Sequence, residues 1–97
     1  MDATIQEIKD REAAGKKDYV LLDVREDYER AEFNIGGMHI PLGVLTASFD
    51  KLAPHKDDEI VVYCRSGKRS GMAQHLLQQA GFTNVRNLEG GMLAWQG

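Results

Sequence analysis

The chain holds one cysteine, Cys64, within "EIVVYCRSGKRSGMAQHLLQQAG", residues 59–81. An apolar run precedes it and a helical pattern follows. The six residues after it, Arg65, Ser66, Gly67, Lys68, Arg69 and Ser70, include three cations and no anion. A thiol in such a place can ionise and act as a nucleophile. A free cysteine has a pKa of ~8.5, and nearby cations and helix N-termini lower it. The first N–H groups of a helix lack helical partners, and its dipole is positive at that end. A tight loop curling back toward the sulfur turns further N–H groups inward and makes an anion-binding nest. Gly67 permits a positive φ or a close backbone approach there. The loop thus offers an ionised nucleophile and a cradle for an anionic substrate together. The competing reading is that Cys64 is a small buried hydrophobe that closes a strand, with solvated cations beside it.

Other motifs fail on spacing. "SGK" lacks the upstream glycine and the following Ser or Thr of a nucleotide-binding loop. "GKRSG" is not the G-x-S-x-G elbow of an esterase. His39, His55 and His75 are scattered and no second cysteine exists, so no metal site is expected. His75 falls on the flank of the helix after the loop. A cysteine phosphatase is the closer rival. It needs five residues between cysteine and arginine, whereas Arg69 follows Cys64 after four. The shorter loop makes a tighter bowl, too small for a tetrahedral phosphate transferred to sulfur.

The elements that must position Cys64 are legible in outline. Residues 4–14 read as a helix capped by Thr4 or Asp2, with Ile5 and Ile8 on one face. "YVLLDV", 19–24, and "EIVVYC", 59–64, are apolar runs of the kind found in strands covered on both sides. Residues 25–33 read as a short polar helix or turn, 36–43 as a brief strand ended by Pro41, and 44–52 as a second short helix. A helix over 70–80, starting near Arg69 or Ser70, carries an apolar stripe of Met72, Ala73, Leu76, Leu77 and Ala80. Gly81 stands where a C-cap glycine belongs. Residues 84–88 read as a last strand and 90–95 as a closing helical turn. Strands alternating with helices predict an α/β domain with a small parallel β-sheet flanked by helices on both faces. In such sheets ligands sit at the carboxyl ends of the strands, where Cys64 lies.

Length and composition bound the rest. The 97 residues make one domain, 1–97, with 42% hydrophobic and 28% charged residues. A net charge of -3 argues against a broad nucleic-acid-binding surface. No signal peptide or membrane-spanning run is read, and an unpaired cysteine fits a reducing compartment; a cytoplasmic location is expected.

Taken in order, "LLDVRE", "DYERAEF", "GGMHIPLG", "VVYCRSGKRS" and "LEGGMLAW" form a set that resembles single-domain rhodaneses, which are sulfurtransferases. The resemblance covers nearly the whole chain. It implies a cysteine that cycles between thiolate and persulfide, on a loop one residue shorter than that of the related phosphatases. By position, Cys64 is then the sulfur-accepting nucleophile, and Arg65 to Ser70 supply the loop donors that bind substrate. Asp23 and Arg25 fall in a "DVR" motif that braces the neighbouring loops, with Arg25 expected to pair with Glu29 or Glu32. Gly90 and Gly91 shape the turn before the last helix, and Trp95 packs in the core. The resemblance implies a small anionic sulfur donor such as thiosulfate, a thiol, cyanide or protein-thiol acceptor, and no metal or organic cofactor. Alternatives from the same pattern are a sulfur-carrier or docking module, a phosphatase or arsenate reductase, and a non-catalytic binding domain. The sequence departs from the family where "GGMHIPLG" replaces the commoner form of that segment, and where the usual first strand is short or missing.

Overall fold

The structure is a computed structural model and describes residues 1–97. Four strands form one parallel sheet: β1 (Val20–Asp23), β2 (Met38–His39), β3 (Ile60–Tyr63) and β4 (Val85–Asn87), in the order β2-β1-β3-β4. Every pair is parallel, which requires a crossover between neighbours. The first strand, read from the sequence as short or missing, is a single bridge, Ala3 against Leu88.

The strands bury alternate residues on opposite faces. Leu22, Ile60, Val62 and Cys64 face one core, closed by Leu52 of α3 (Phe49–Leu52) and by Ala73 and Leu77 of α4 (Lys68–Gln79). Leu21, Val61 and Tyr63 face a second core, closed by Ile8 of α1 (Ile5–Ala13) and Met92 of α5 (Gly91–Gln96). The sheet is therefore covered on both faces, as its near-continuous apolar strands require. Both central strands are enclosed, and β3 is buried along its whole length.

Local chemistry explains the helix ends. Thr4, not Asp2, caps α1: its Oγ1 accepts from the Glu7 N–H at 3.1 Å. α2 (Asp27–Glu32) is the short polar helix expected there. α4 ends in a Schellman motif, with Gly81 N–H donating to the Gln78 carbonyl and Phe82 N–H to that of Leu77.

Three expectations are corrected. Residues 44–52 are not one helix. They form 3-10 turns at Leu42–Val44 and Thr46–Ser48 before the single turn of α3, with a further 3-10 turn at Ala53–His55. The helix after Cys64 begins at Lys68, two positions before Ser70, because Gly67 adopts φ 100 and turns the chain early. Met72 is exposed and outside the apolar stripe, while Ala73 and Leu77 carry the burial.

Candidate active site

Cys64 leaves the carboxyl end of β3, and α4 starts four residues later. Its side chain is fully buried at 0% exposure, so the sulfur sits at the floor of the loop and not at an open mouth. Gly67 N–H donates to Sγ at 3.1 Å, and the Ser70 hydroxyl lies 3.3 Å from it. Burial pushes the thiol pKa up. The Ser70 hydroxyl and the backbone N–H groups of Ser70, Gly67 and Ser66 overcome this and hold it below its ordinary value. The N–H groups converge on sulfur because Gly67 is left-handed and starts the helix without a side-chain cap.

The loop cations do less than their number promises. Arg65 and Lys68 are exposed. Arg69 turns away to Glu29 of α2, with Nη1–Oε1 at 2.6 Å and Nη2–Oε2 at 2.8 Å. That bidentate pair, opposed only by partial burial, holds the Glu29 carboxyl down at about 2. Glu29 Oε1 also accepts from the Glu26 N–H at 3.0 Å, so one side chain fixes the start of α2 and the start of α4 together.

Arg25 does not pair with Glu29 or Glu32 as the sequence led one to expect. It folds back on Asp23, Nε to Oδ1 and Nη2 to Oδ2, both at 2.9 Å, and donates from Nη2 to the Phe33 carbonyl at 2.6 Å. Both side chains are buried. Burial raises the Asp23 pKa, but the Arg25 hydrogen bonds outweigh it and keep the carboxylate ionised. Asp23 ends β1 beside β3, and Arg25 lies over the Tyr63 ring at 5.3 Å, so the pair braces the residue just before Cys64. Gly91 closes the site from α5. A Cβ there would collide with the carbonyls of Cys64 and Arg65, which accept from Met92 N–H and Leu93 N–H at 2.9 Å. Trp95 is only partly buried, packed on the second core with the Lys9 ammonium 5.0 Å from its ring centre. Beside the loop lies a groove of about 490 Å³, bordered by Arg25, Tyr28, Glu32, Arg65 and Leu93. His75 is exposed on α4.

The match to a family model for the Rhodanese-like domain runs from residue 4 to 97. The chain belongs to the rhodanese-like family. YtwF of Bacillus subtilis is 41% identical over 99 residues, covering 94% of this chain and 93% of its own. A sulfurtransferase of Allochromatium vinosum is 36% identical over 83 residues, covering 84% and 76%. Among solved structures, the human single-domain sulfurtransferase TSTD1 superposes with a TM-score of 0.81 at 28% identity, covering 98% of this chain and 94% of that one. The chain is thus a sulfurtransferase-type rhodanese domain.

Arg65 to Ser70 thus divide by role. Gly67 N–H donates to Sγ, the backbone N–H groups of Ser66 and Ser70 lower the thiol pKa, the Ser70 hydroxyl is shared between Sγ and Asn87, Arg69 anchors the loop to α2, and Arg65 and Lys68 are exposed. Two residues of the site were not singled out in the sequence: Glu29 as the partner of Arg69, and Asn87, whose Nδ2 donates to the Gly67 carbonyl at 3.0 Å. A signal for Asn87 existed. Counting by two from buried Val85 puts a polar side chain on the covered face of β4, where it must find partners.

Proposed function

We propose that this rhodanese domain moves a sulfane sulfur from thiosulfate or another persulfide to a thiophilic acceptor, through a persulfide on Cys64. The observation that carries the reading is the convergence of the Gly67 N–H and the Ser70 hydroxyl on the Cys64 sulfur. Donors placed there stabilise a thiolate, and after transfer they face the charge of the persulfide. In the first half-reaction the Cys64 thiolate attacks the outer sulfur of thiosulfate. The new bond joins that sulfur to Sγ, the bond to the sulfonate sulfur breaks, and sulfite leaves with the electron pair. In the second half-reaction an acceptor thiolate or cyanide attacks the outer sulfur of the Cys64 persulfide. The Cys64 thiolate returns, and a persulfide or thiocyanate departs. This is covalent catalysis with ping-pong kinetics. The chain has one cysteine, so the accepting thiol must come from another molecule.

Thiosulfate as donor is supported by a relative: the thiosulfate sulfurtransferase PspE of Escherichia coli is 35% identical over 71 residues, 71% of this chain. The groove beside Arg65 is of a size that admits more than thiosulfate, and a thiol carried by a second protein fits this reading. The commitment of both Arg69 terminal nitrogens to Glu29 takes the fork at the helix start away from a phosphate, which favours sulfur transfer over the phosphatase alternative.

The test is intact mass after thiosulfate treatment. The protein is expected to gain one sulfur and to lose it to cyanide or a thiol. Cys64→Ser is expected to gain none. Turnover of Cys64→Ser near that of the parent chain would refute the reading.

A further inference from the structure

Along β4 the side chains alternate. Val85 enters the core under α4, Arg86 points to the other face toward Glu7 and Glu59, and Asn87 returns to the α4 side beneath the active loop. Asn87 makes two side-chain contacts there. Its Nδ2 donates to the Gly67 carbonyl at 3.0 Å, and its Oδ1 lies 2.6 Å from the Ser70 hydroxyl. A carbonyl only accepts, so the Gly67 contact fixes which end of the amide is nitrogen. Oδ1 therefore faces Ser70, and the hydroxyl must donate to it.

That leaves a conflict over one proton. The same Ser70 oxygen is 3.3 Å from the Cys64 sulfur. A hydroxyl has a single hydrogen to give. While it points at Asn87, Ser70 offers sulfur only lone pairs, an arrangement that suits a thiol donating its own S–H. A thiolate needs the Ser70 proton turned toward itself, at the cost of the shorter bond to Asn87. We propose that Asn87 is a positioning residue of the active loop: it holds the Gly67 carbonyl and restrains the one Ser70 proton that the Cys64 thiolate recruits. This rests on the reading of Cys64 as the nucleophile, and it adds a residue outside the loop that sets how readily the nucleophile forms.

The other charged groups near Cys64 are Arg65, Lys68 and Arg69 in the loop and early α4, Glu29 of α2 behind Arg69, and the buried Asp23–Arg25 pair at the end of β1. All are unchanged in the variants, so a cycle of substitutions cancels them. The measurement is the thiolate absorbance of the full chain against pH, with Cys64→Ser subtracted to remove tyrosine. Asn87→Ala frees the Ser70 proton, and the Cys64 midpoint is expected to fall by about half a unit to one unit, about three- to tenfold in the ionisation constant. Ser70→Ala is expected to raise the midpoint, and adding Asn87→Ala to it is expected to change nothing further. No fall in Asn87→Ala, a rise, or a fall that persists without the Ser70 hydroxyl overturns the proposal. Should Asn87→Ala not fold, Asn87→Asp gives the opposite sign. Its carboxylate holds the hydroxyl proton more firmly, so the midpoint rises more with Ser70 present than in the Ser70→Ala background, and an equal rise overturns the proposal. Ionisation is read without sulfur transfer. Failure of the sulfurtransferase reading shows separately, as no sulfur gained by the parent chain.

Discussion

Cys64 is acidic for a reason that its neighbours in sequence did not fully disclose. Three cations stand in the loop, yet hydrogen bonds from Ser70, Gly67 and Ser66 are what offset the burial of the sulfur. The sign follows directly. The thiolate is stabilised, so its population rises through a midpoint below the ~8.5 of a free thiol. Alkylation of Cys64 is expected to reach its half-maximal rate below that pH, and sulfur loading from thiosulfate to follow the same curve. A midpoint at or above ~8.5 would mean that burial wins. Gly91 makes the second residue-scale prediction. It has φ 55, and a Cβ there meets the Cys64 and Arg65 carbonyls, which are fixed by hydrogen bonds from α5. Neither carbonyl can move without opening the loop. Gly91→Ala is expected to destabilise the fold by at least about 1–3 kcal/mol, read by denaturant unfolding, and to slow sulfur loading as well.

At the scale of elements, α2 acts as a clamp on α4. Glu29 spans the two, and its pKa of about 2 makes the clamp a stability statement. A carboxyl depressed in the folded state contributes fully above its unfolded pKa of 4.5 and loses that contribution as pH falls toward 2. After allowance for the partial exposure of Arg69, the pair is expected to contribute about 1–2 kcal/mol. Glu29→Gln should therefore lower stability at pH 7, and the gap to the parent chain should close between pH 4.5 and 2. A gap that stays constant through acid denaturation counts against the clamp. The elements themselves were largely legible in the sequence. "YVLLDV" and "EIVVYC" read as buried strands because a sheet covered on both faces needs apolar residues at successive positions. Gly81 read as the C-cap and Thr4 or Asp2 as the N-cap because few residue types do those tasks, and the structure decides for Thr4. What stayed hidden was pairing. Arg25 had Glu29 and Glu32 within helical reach by number, but the chain turns after β1 and brings its own Asp23 nearer. Residues 44–52 look helical by composition, and the break into 3-10 turns accompanies the burial of Leu45 and Ser48, with the Ser48 hydroxyl donating to the Val44 carbonyl at 2.7 Å. Cys64 and its loop were found from local pattern; Glu29 and Asn87 act across 40 and 20 residues of chain and were not.

Across the whole molecule, the Cys64 loop and the largest ionic network are placed at opposite ends of the sheet. The carboxyl ends of β1 and β3 carry Asp23, Arg25 and Cys64. Near the start of β3 lies an ionic network that joins distant parts of the chain. Arg86 of β4 reaches Glu7 of α1 and Glu59 before β3, each at 2.6 Å. Arg11 of α1 reaches the same Glu59 at 2.8 Å and Asp18 at 2.7 Å. Arg86 Nε also donates to the Met1 carbonyl at 2.8 Å, which fastens the N-terminal residues to the sheet beside the Ala3–Leu88 bridge. Isolated surface pairs contribute little, but here two arginines share one carboxylate, and their bonds hold Glu7 and Glu59 below the ordinary carboxylate range. Removing Arg86 leaves Glu7 and Glu59 close together with Arg11 as their remaining partner. Arg86→Leu is expected to cost about 1–2 kcal/mol, which in a domain of this size lowers Tm by about 4–16 °C. High salt should narrow the difference, since part of it is Coulombic. Sulfur loading of the folded variant should match that of the parent chain, because no ion pair of the network touches a residue of the Cys64 loop. A loss of sulfur loading at a temperature where the variant is still folded would show that the two ends are coupled through β4, along the one-residue step from Arg86 to Asn87.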